Sequence, residues 1–334
     1  MTDRLVDLAE TPAWLPFELD LGSGRVALLH LSEPDYRAAS FLDPRMLRPD
    51  SVLVETEWEK LDLPTNARRD VQYIFHIGNV GSTLISRLLG ELPDVFALRE
   101  PLLLRTFAEA PPGDAEFDRL TALLSRTFAP AQRANVKATS FTSELADRLV
   151  PPGSKTLFLY ARPDRYLENI LAGENSWQTL QALSPVRLAR LQGRCPGLEA
   201  DSAGMHDGLK AALGWACEMT SLAAAAARLP KDAVLWLDFD TFLDDPAAHL
   251  AAIAGHFGHA ADAATIRTIV EGPLMGRYSK ALDYAYSPDL RRQILADARY
   301  RHADAIRDGL NWLAGLAGRY PAVADAIRRA RGTD

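Results

Sequence analysis

Residues 73–89, YIFHIGNVGSTLISRLL, restrict the possible folds more than any other part of the chain. An apolar run ends at His76, and a turn bracketed by Gly78 and Gly81 follows. Leu84, Ile85, Leu88, Leu89 and Leu92 then recur at helical spacing. A buried strand that feeds a glycine turn and an amphipathic helix opens a βαβ unit. The two glycines let the backbone turn tightly and approach a ligand. Free amides at a helix N-terminus favour an anion, and the hydroxyls of Ser82 and Thr83 add donors. Laid on the hydrolytic phosphate-loop pattern G-x-x-x-x-G-K-[ST], however, His76 takes the first glycine position and Ser82 the lysine. ATP or GTP hydrolysis is therefore disfavoured. The loop alone is compatible with an anion site or with a plain strand–turn–helix joint.

The rest of the chain repeats the strand–helix rhythm. Apolar runs at 71–77, 94–98, 135–139, 156–161 and 233–239 alternate with helical patterns. Such runs suit strands buried on both faces. The expected fold is α/β, a doubly wound parallel sheet of the P-loop nucleoside triphosphate hydrolase type, with ligands beyond the carboxyl ends of the strands. Asp207 is expected to cap a helix reaching about Arg228, and Asp245 to cap one with Pro246 in its first turn. The stretch 172–204 reads as turn-rich, part of an acceptor side or a lid. Residues 1–70 carry short mixed elements, including a strand in GRVALLHLS, and read as a small N-terminal extension ahead of a main domain at 71–334.

Composition excludes some functions. A net charge of −7 over 334 residues argues against a broad nucleic-acid face. The leading residues MTDRLVDLAETPAWLPF lack the apolar core of a secretory signal, and no apolar run is long enough to span a bilayer. Cys195 and Cys217 have no metal-ligand spacing and read as free thiols of a cytoplasmic protein.

Four stretches, in order, resemble the sulfotransferases. The strand–loop–helix at 73–89 is similar to that family's phosphosulfate loop. FALREPLLLR places Glu100 just past the second expected strand, where some branches carry the catalytic base. TLFLYARPDRYLENIL is similar to the segment that holds the donor's 3′-phosphate, and VLWLDFDTFLDDPAAHLAAIAGHFG to a recurring strand–acid–D-P–helix segment. The resemblance implies a sulfotransferase fold and transfer of a sulfuryl group from 3′-phosphoadenosine 5′-phosphosulfate (PAPS) to a hydroxyl or amine of a small-molecule, glycan or peptide acceptor, with no metal. It implies a donor loop of Gly78, Asn79, Val80, Gly81, Ser82 and Thr83. Arg162, Asn169 and a late basic loop with Arg277, Ser279 and Lys280 are then expected on the 3′-phosphate.

The chain departs from the family at Asn79, which stands where the loop cation is expected. An amide supplies no charge, and loss of such a donor costs roughly 10²–10³ in rate. Lys137, at the end of the third strand, and His76 are the candidate replacements, and His76 or Glu100 the candidate base. Glu100 has an alternative as a strand-end partner of Arg99 or Arg105. Two other readings stand beside transfer of a sulfuryl group. One is a phosphotransferase or nucleotide-binding protein using Asp238 or Asp240 for magnesium. The other is a nucleotide-binding module that has lost activity.

Overall fold

A computed structural model describes residue 8, residues 11–61 and residues 63–332. The expectation that residues 1–17 form no secretory signal lies in part outside the described residues. Five parallel strands form the central sheet: β4 (Gln72–His76), β5 (Val95–Arg99), β6 (Arg133–Lys137), β7 (Thr156–Tyr160) and β8 (Val234–Asp238), in the order β5-β6-β4-β7-β8. Four of the five are buried at nearly every position, as strands covered on both faces must be. The strand containing the loop is central. The chain is an α/β protein of the doubly wound type, and the expected strands match those observed to within two residues at each end.

Before this sheet, β1 (Trp14–Asp20), β2 (Arg25–His30) and β3 (Leu53–Glu57) form a separate antiparallel sheet. Buried arginines of the main body fasten it. Arg126 donates to the carbonyls of Leu8, Thr11 and Trp14, and Arg99 to those of Tyr36, Arg37 and Ala39. Burial pulls the Arg99 guanidinium down to about 9. A guanidinium has five donors in a fixed fork, so one side chain can satisfy several orphan carbonyls at once. One hydrophobic core runs through both sheets.

Two expectations need correction. The stretch after Ala172 is a long helix, Glu174–Arg194, and not a run of turns. Pro185 interrupts its hydrogen bonding, but the helix is held laterally by a buried Arg187–Glu218 pair and by Arg194 on Thr220. Tertiary contacts outweigh the local propensity. Asp207 begins the helix Asp207–Ala226 but does not cap it; His206 occupies the cap position, and the Asp207 carboxylate accepts from Trp177 and Gln181. Asp245 does cap its helix, accepting from the Ala248 amide with Pro246 in the first turn. Among the described residues no helix is long and apolar enough to cross a membrane.

Candidate active site

The carboxyl ends of the strands converge on one cavity of about 120 Å³. β4 delivers His76 and the loop Asn79–Thr83, β5 delivers Glu100, and β6 delivers Lys137. Asn169 comes from the helix after β7 and Phe239 from the helix after β8. A strap at 272–287 closes the far side with Arg277, Tyr278, Ser279 and Lys280. The strap is internally tied: Tyr278 donates its amide to the Tyr284 carbonyl at 2.8 Å and Tyr286 to Gly276 at 3.0 Å.

The loop has the geometry of an anion cradle. Gly78 and Gly81 lie at φ 93° and 66°. At Gly81 a Cβ would stand 1.9 Å from the Phe239 ring, so glycine is required there by space as well as by torsion. Gly81 is the N-cap of the helix Ser82–Leu89, which has no side-chain cap. Thr83 Oγ1 is buried without a hydrogen-bond partner. Buried polar atoms are ordinarily paired, so this hydroxyl, which lines the cavity, is available to a water or a ligand there.

Among the described residues, Asn79 and Glu100 are the two non-glycine residues with left-handed backbone, each at φ 52°. That conformation costs about 1–2 kcal/mol for an ordinary L-residue such as Glu100, and less for asparagine. Both strained residues line the same cavity, and strain of this kind collects where a surrounding structure over-determines a working geometry.

The ionisable groups divide as follows. Lys137 is buried and pairs with Glu100, whose other oxygen lies 3.9 Å from Arg45. Burial pulls the Lys137 ammonium below its ordinary value, while Glu100 pulls it back. The structure gives Glu100 neither Arg99, which is spent on backbone carbonyls, nor Arg105, which pairs with Glu109. His76 accepts from the Gly78 amide at Nδ1, 3.1 Å, so its Nε2 carries the proton and donates to the Ala138 carbonyl at 2.8 Å. Burial, with Lys137 and Lys280 nearby, holds it well below the usual histidine range. It is a neutral brace beneath the turn, with both nitrogens committed to backbone.

Most of the residues expected at the site are brought together: His76, Asn79 to Thr83, Glu100, Lys137, Asn169, Arg277, Ser279 and Lys280 all line the cavity. Gly78 shapes the turn behind it. Asn169 donates to the Asn79 carbonyl, fixing the loop. Arg162 lies elsewhere. Pro163 starts a helix directly after it, which leaves Arg162 as an N-cap, half-exposed, 3.4 Å from Asp164 and beside Leu310 and Leu313. Arg291 was not anticipated. It lines the cavity, pairs with Asp240 at 2.5 Å and lies over the Phe239 ring. The basic run after Ser287-Pro288 was its only signal. Asp240 is thereby engaged, and Asp238 caps the helix Phe239–Asp244.

A second cavity, of about 650 Å³, adjoins the first through Lys280, which lines both. Its walls come from residues 29–52 and include His30, Asp35, Phe41, Arg45 and Arg48. Phe41 stacks under the Arg45 guanidinium at 3.6 Å. The Glu100 carboxylate thus belongs to the first cavity and reaches toward the second.

The class that the fold defines is an α/β protein with a glycine-bracketed turn and an uncapped helix N-terminus at the end of its central strand. No protein-family model matches the chain, and no curated protein matches it. Solved structures similar to it include a sulfotransferase domain from the curacin biosynthetic pathway, 14% identical over 66% of this chain and 85% of that one, TM-score 0.42. Sulfotransferase STF9 from Mycobacterium avium is 12% identical over 71% of this chain and 77% of that one, TM-score 0.41. Mouse sulfotransferase SULT7A1, solved in complex with PAP, is 11% identical over 74% of this chain and 90% of that one, TM-score 0.34.

Proposed function

We propose that the chain is a sulfotransferase-like enzyme that moves a sulfuryl group from PAPS to a hydroxyl or amine acceptor. The observation that carries this reading is the placement of two left-handed residues, Asn79 in the loop and Glu100 beyond β5, in one cavity with the buried Lys137 ammonium, the half-buried Lys280 and an unpartnered Thr83 hydroxyl. These residues fit the phosphosulfate end of the donor: the loop's free helix amides, the Ser82 and Thr83 hydroxyls and two lysines line one cavity. PAPS supplies the activated sulfuryl group, and the protein's share of the work is positioning and charge stabilisation. Asn79 to Thr83 hold the anionic end. Arg277 and Arg291 lie at the strap side for a second phosphate. Glu100 accepts the acceptor's proton, oriented by Lys137.

The second cavity then takes the acceptor. Residues 29–52, which the sequence left without a role, form its wall, and Arg45 of that wall lies 3.9 Å from Glu100. At about 120 Å³ the first cavity holds an anionic group and is below the roughly 300–1,000 Å³ of a small-molecule cleft. Entry of the whole nucleotide therefore requires the strap to swing outward.

Thermal unfolding with adenosine 3′,5′-bisphosphate tests the reading, because a ligand of the folded state raises Tm by mass action. The expected result is a rise with the bisphosphate and none with ATP and magnesium. A rise with ATP and magnesium alone would replace this reading with phosphoryl transfer.

A further inference from the structure

The loop lacks its cation, and the strap brings one to the same place. Lys280 Nζ donates to Asn79 Oδ1 at 3.2 Å across 201 residues of sequence. It therefore sits on the very side chain that stands where a loop cation is expected. Lys280 also lies close enough to His76, Lys137 and Glu100 to perturb or be perturbed by each. Its immediate partner is an amide oxygen and not a carboxylate. Partial burial and the neighbouring Lys137 and Arg45 charges disfavour its ammonium, and Glu100 offsets this in part. A cation held at that cost beside an anion cradle is poorly explained as structure.

We infer that Lys280 supplies, from the strap, the loop cation that Asn79 does not. This rests on the proposed donor site and gives Lys280 a different task from the 3′-phosphate contact that its sequence position suggests. Asn79 accepts a hydrogen bond from the ammonium and aims it at the loop. When the bond between sulfur and the bridging oxygen breaks, its electron pair leaves on that oxygen, and Lys280 stabilises the charge. The acceptor oxygen forms the new bond to sulfur, and its proton passes to Glu100. Strap closure and completion of the charge set become a single event.

A tether supports this coupling. Arg87, on the helix after the loop, donates from Nε to the Ser279 carbonyl at 2.8 Å and from its terminal nitrogen to Ser40 Oγ at 2.8 Å. One buried guanidinium thus joins the loop helix, the strap next to Lys280 and the acceptor-side segment.

The test compares wild type, Lys280→Met and Lys280→Met/Asn79→Lys. Calorimetry measures bisphosphate affinity, and release of sulfate from PAPS to water measures transfer. Wild type is expected to bind. Lys280→Met is expected to bind about tenfold or more weakly, as befits loss of a charge-assisted contact, and to lose roughly 10²–10³ in sulfate release. Its Tm without ligand is expected to be unchanged or higher, since a half-buried charge whose direct partner is an amide oxygen has gone. Returning the cation through Asn79→Lys is expected to recover at least tenfold in both measurements. A wild type that binds, with Lys280→Met equal to it in affinity and rate, overturns the assignment and leaves the donor site intact. Loss of function with a lowered Tm and no recovery in the double variant makes Lys280 a structural plug and also overturns it. A wild type that binds neither bisphosphate nor PAPS overturns the donor site and this assignment together.

Discussion

Replacing Gly81 by alanine separates torsional from steric strain in the loop when Gly78→Ala is measured beside it. Both glycines have left-handed torsions, so each alanine incurs the same type of backbone penalty, about 1–2 kcal/mol. The surroundings differ. At Gly78 the nearest atom to a new Cβ is Ser140 Oγ at 3.4 Å, an ordinary contact. At Gly81 the new atom would stand 1.9, 2.0 and 2.5 Å from Cε2, Cζ and Cδ2 of Phe239. That ring is buried, stacked on Phe242 and covered by Arg291, so it cannot move aside freely. Overpacking of this type costs about 1–3 kcal/mol. Gly81→Ala should therefore lose about 2–5 kcal/mol, and Gly78→Ala about 1–2 kcal/mol. Urea unfolding of both variants gives the comparison, and bisphosphate titration shows whether the cradle survives. Equal unfolding midpoints for the two variants would refute the claim that Phe239 fixes the loop.

Three further outcomes follow from the geometry. Arg187→Met should cost about 3–5 kcal/mol near neutral pH by stranding the fully buried Glu218 carboxylate. Burial already raises the Glu218 carboxyl above its usual 4.5, so the folded state binds its proton more readily than the unfolded chain does. The loss should therefore shrink as pH falls, and urea unfolding across pH checks it; a pH-independent cost would count against the assignment. His76 is held neutral in the folded state, whereas the unfolded chain protonates it below its usual 6.5. Its contribution to stability is present above that value and declines as pH falls; His76→Asn should shrink the loss between pH 7.5 and 5.5 by about 1.4 kcal/mol. Arg162→Ala should leave bisphosphate affinity within twofold of wild type, because Arg162 lies outside the cavity, whereas Arg277→Ala should weaken it severalfold; calorimetric titration distinguishes the two.

The sheet was legible because each parallel strand is a near-continuous apolar run, and such a run has few other uses in a chain of this composition. The loop was legible because glycine spacing and helix onset are local. Glu100 and Lys137 could be placed at strand ends from prolines and periodicity, but their pairing could not, since it depends on β5 and β6 lying side by side. Arg162 lies outside the first cavity, as the N-cap of the helix that begins at Pro163 and 3.4 Å from Asp164. The long helix through Pro185 was missed because its stability comes from Arg187 and Arg194, which reach a neighbouring helix. Lys280 was visible as a basic residue in a glycine-flanked stretch, but its contact with Asn79 spans most of the chain and leaves no local signature.

The most direct test of sulfuryl transfer is the appearance of adenosine 3′,5′-bisphosphate from PAPS, followed chromatographically with a panel of hydroxyl and amine acceptors. The account predicts release above the enzyme-free blank for wild type, with Glu100→Gln slower by roughly 10²-fold or more. Wild-type release no greater than the blank with every acceptor, or a Glu100→Gln variant as fast as wild type, would contradict it.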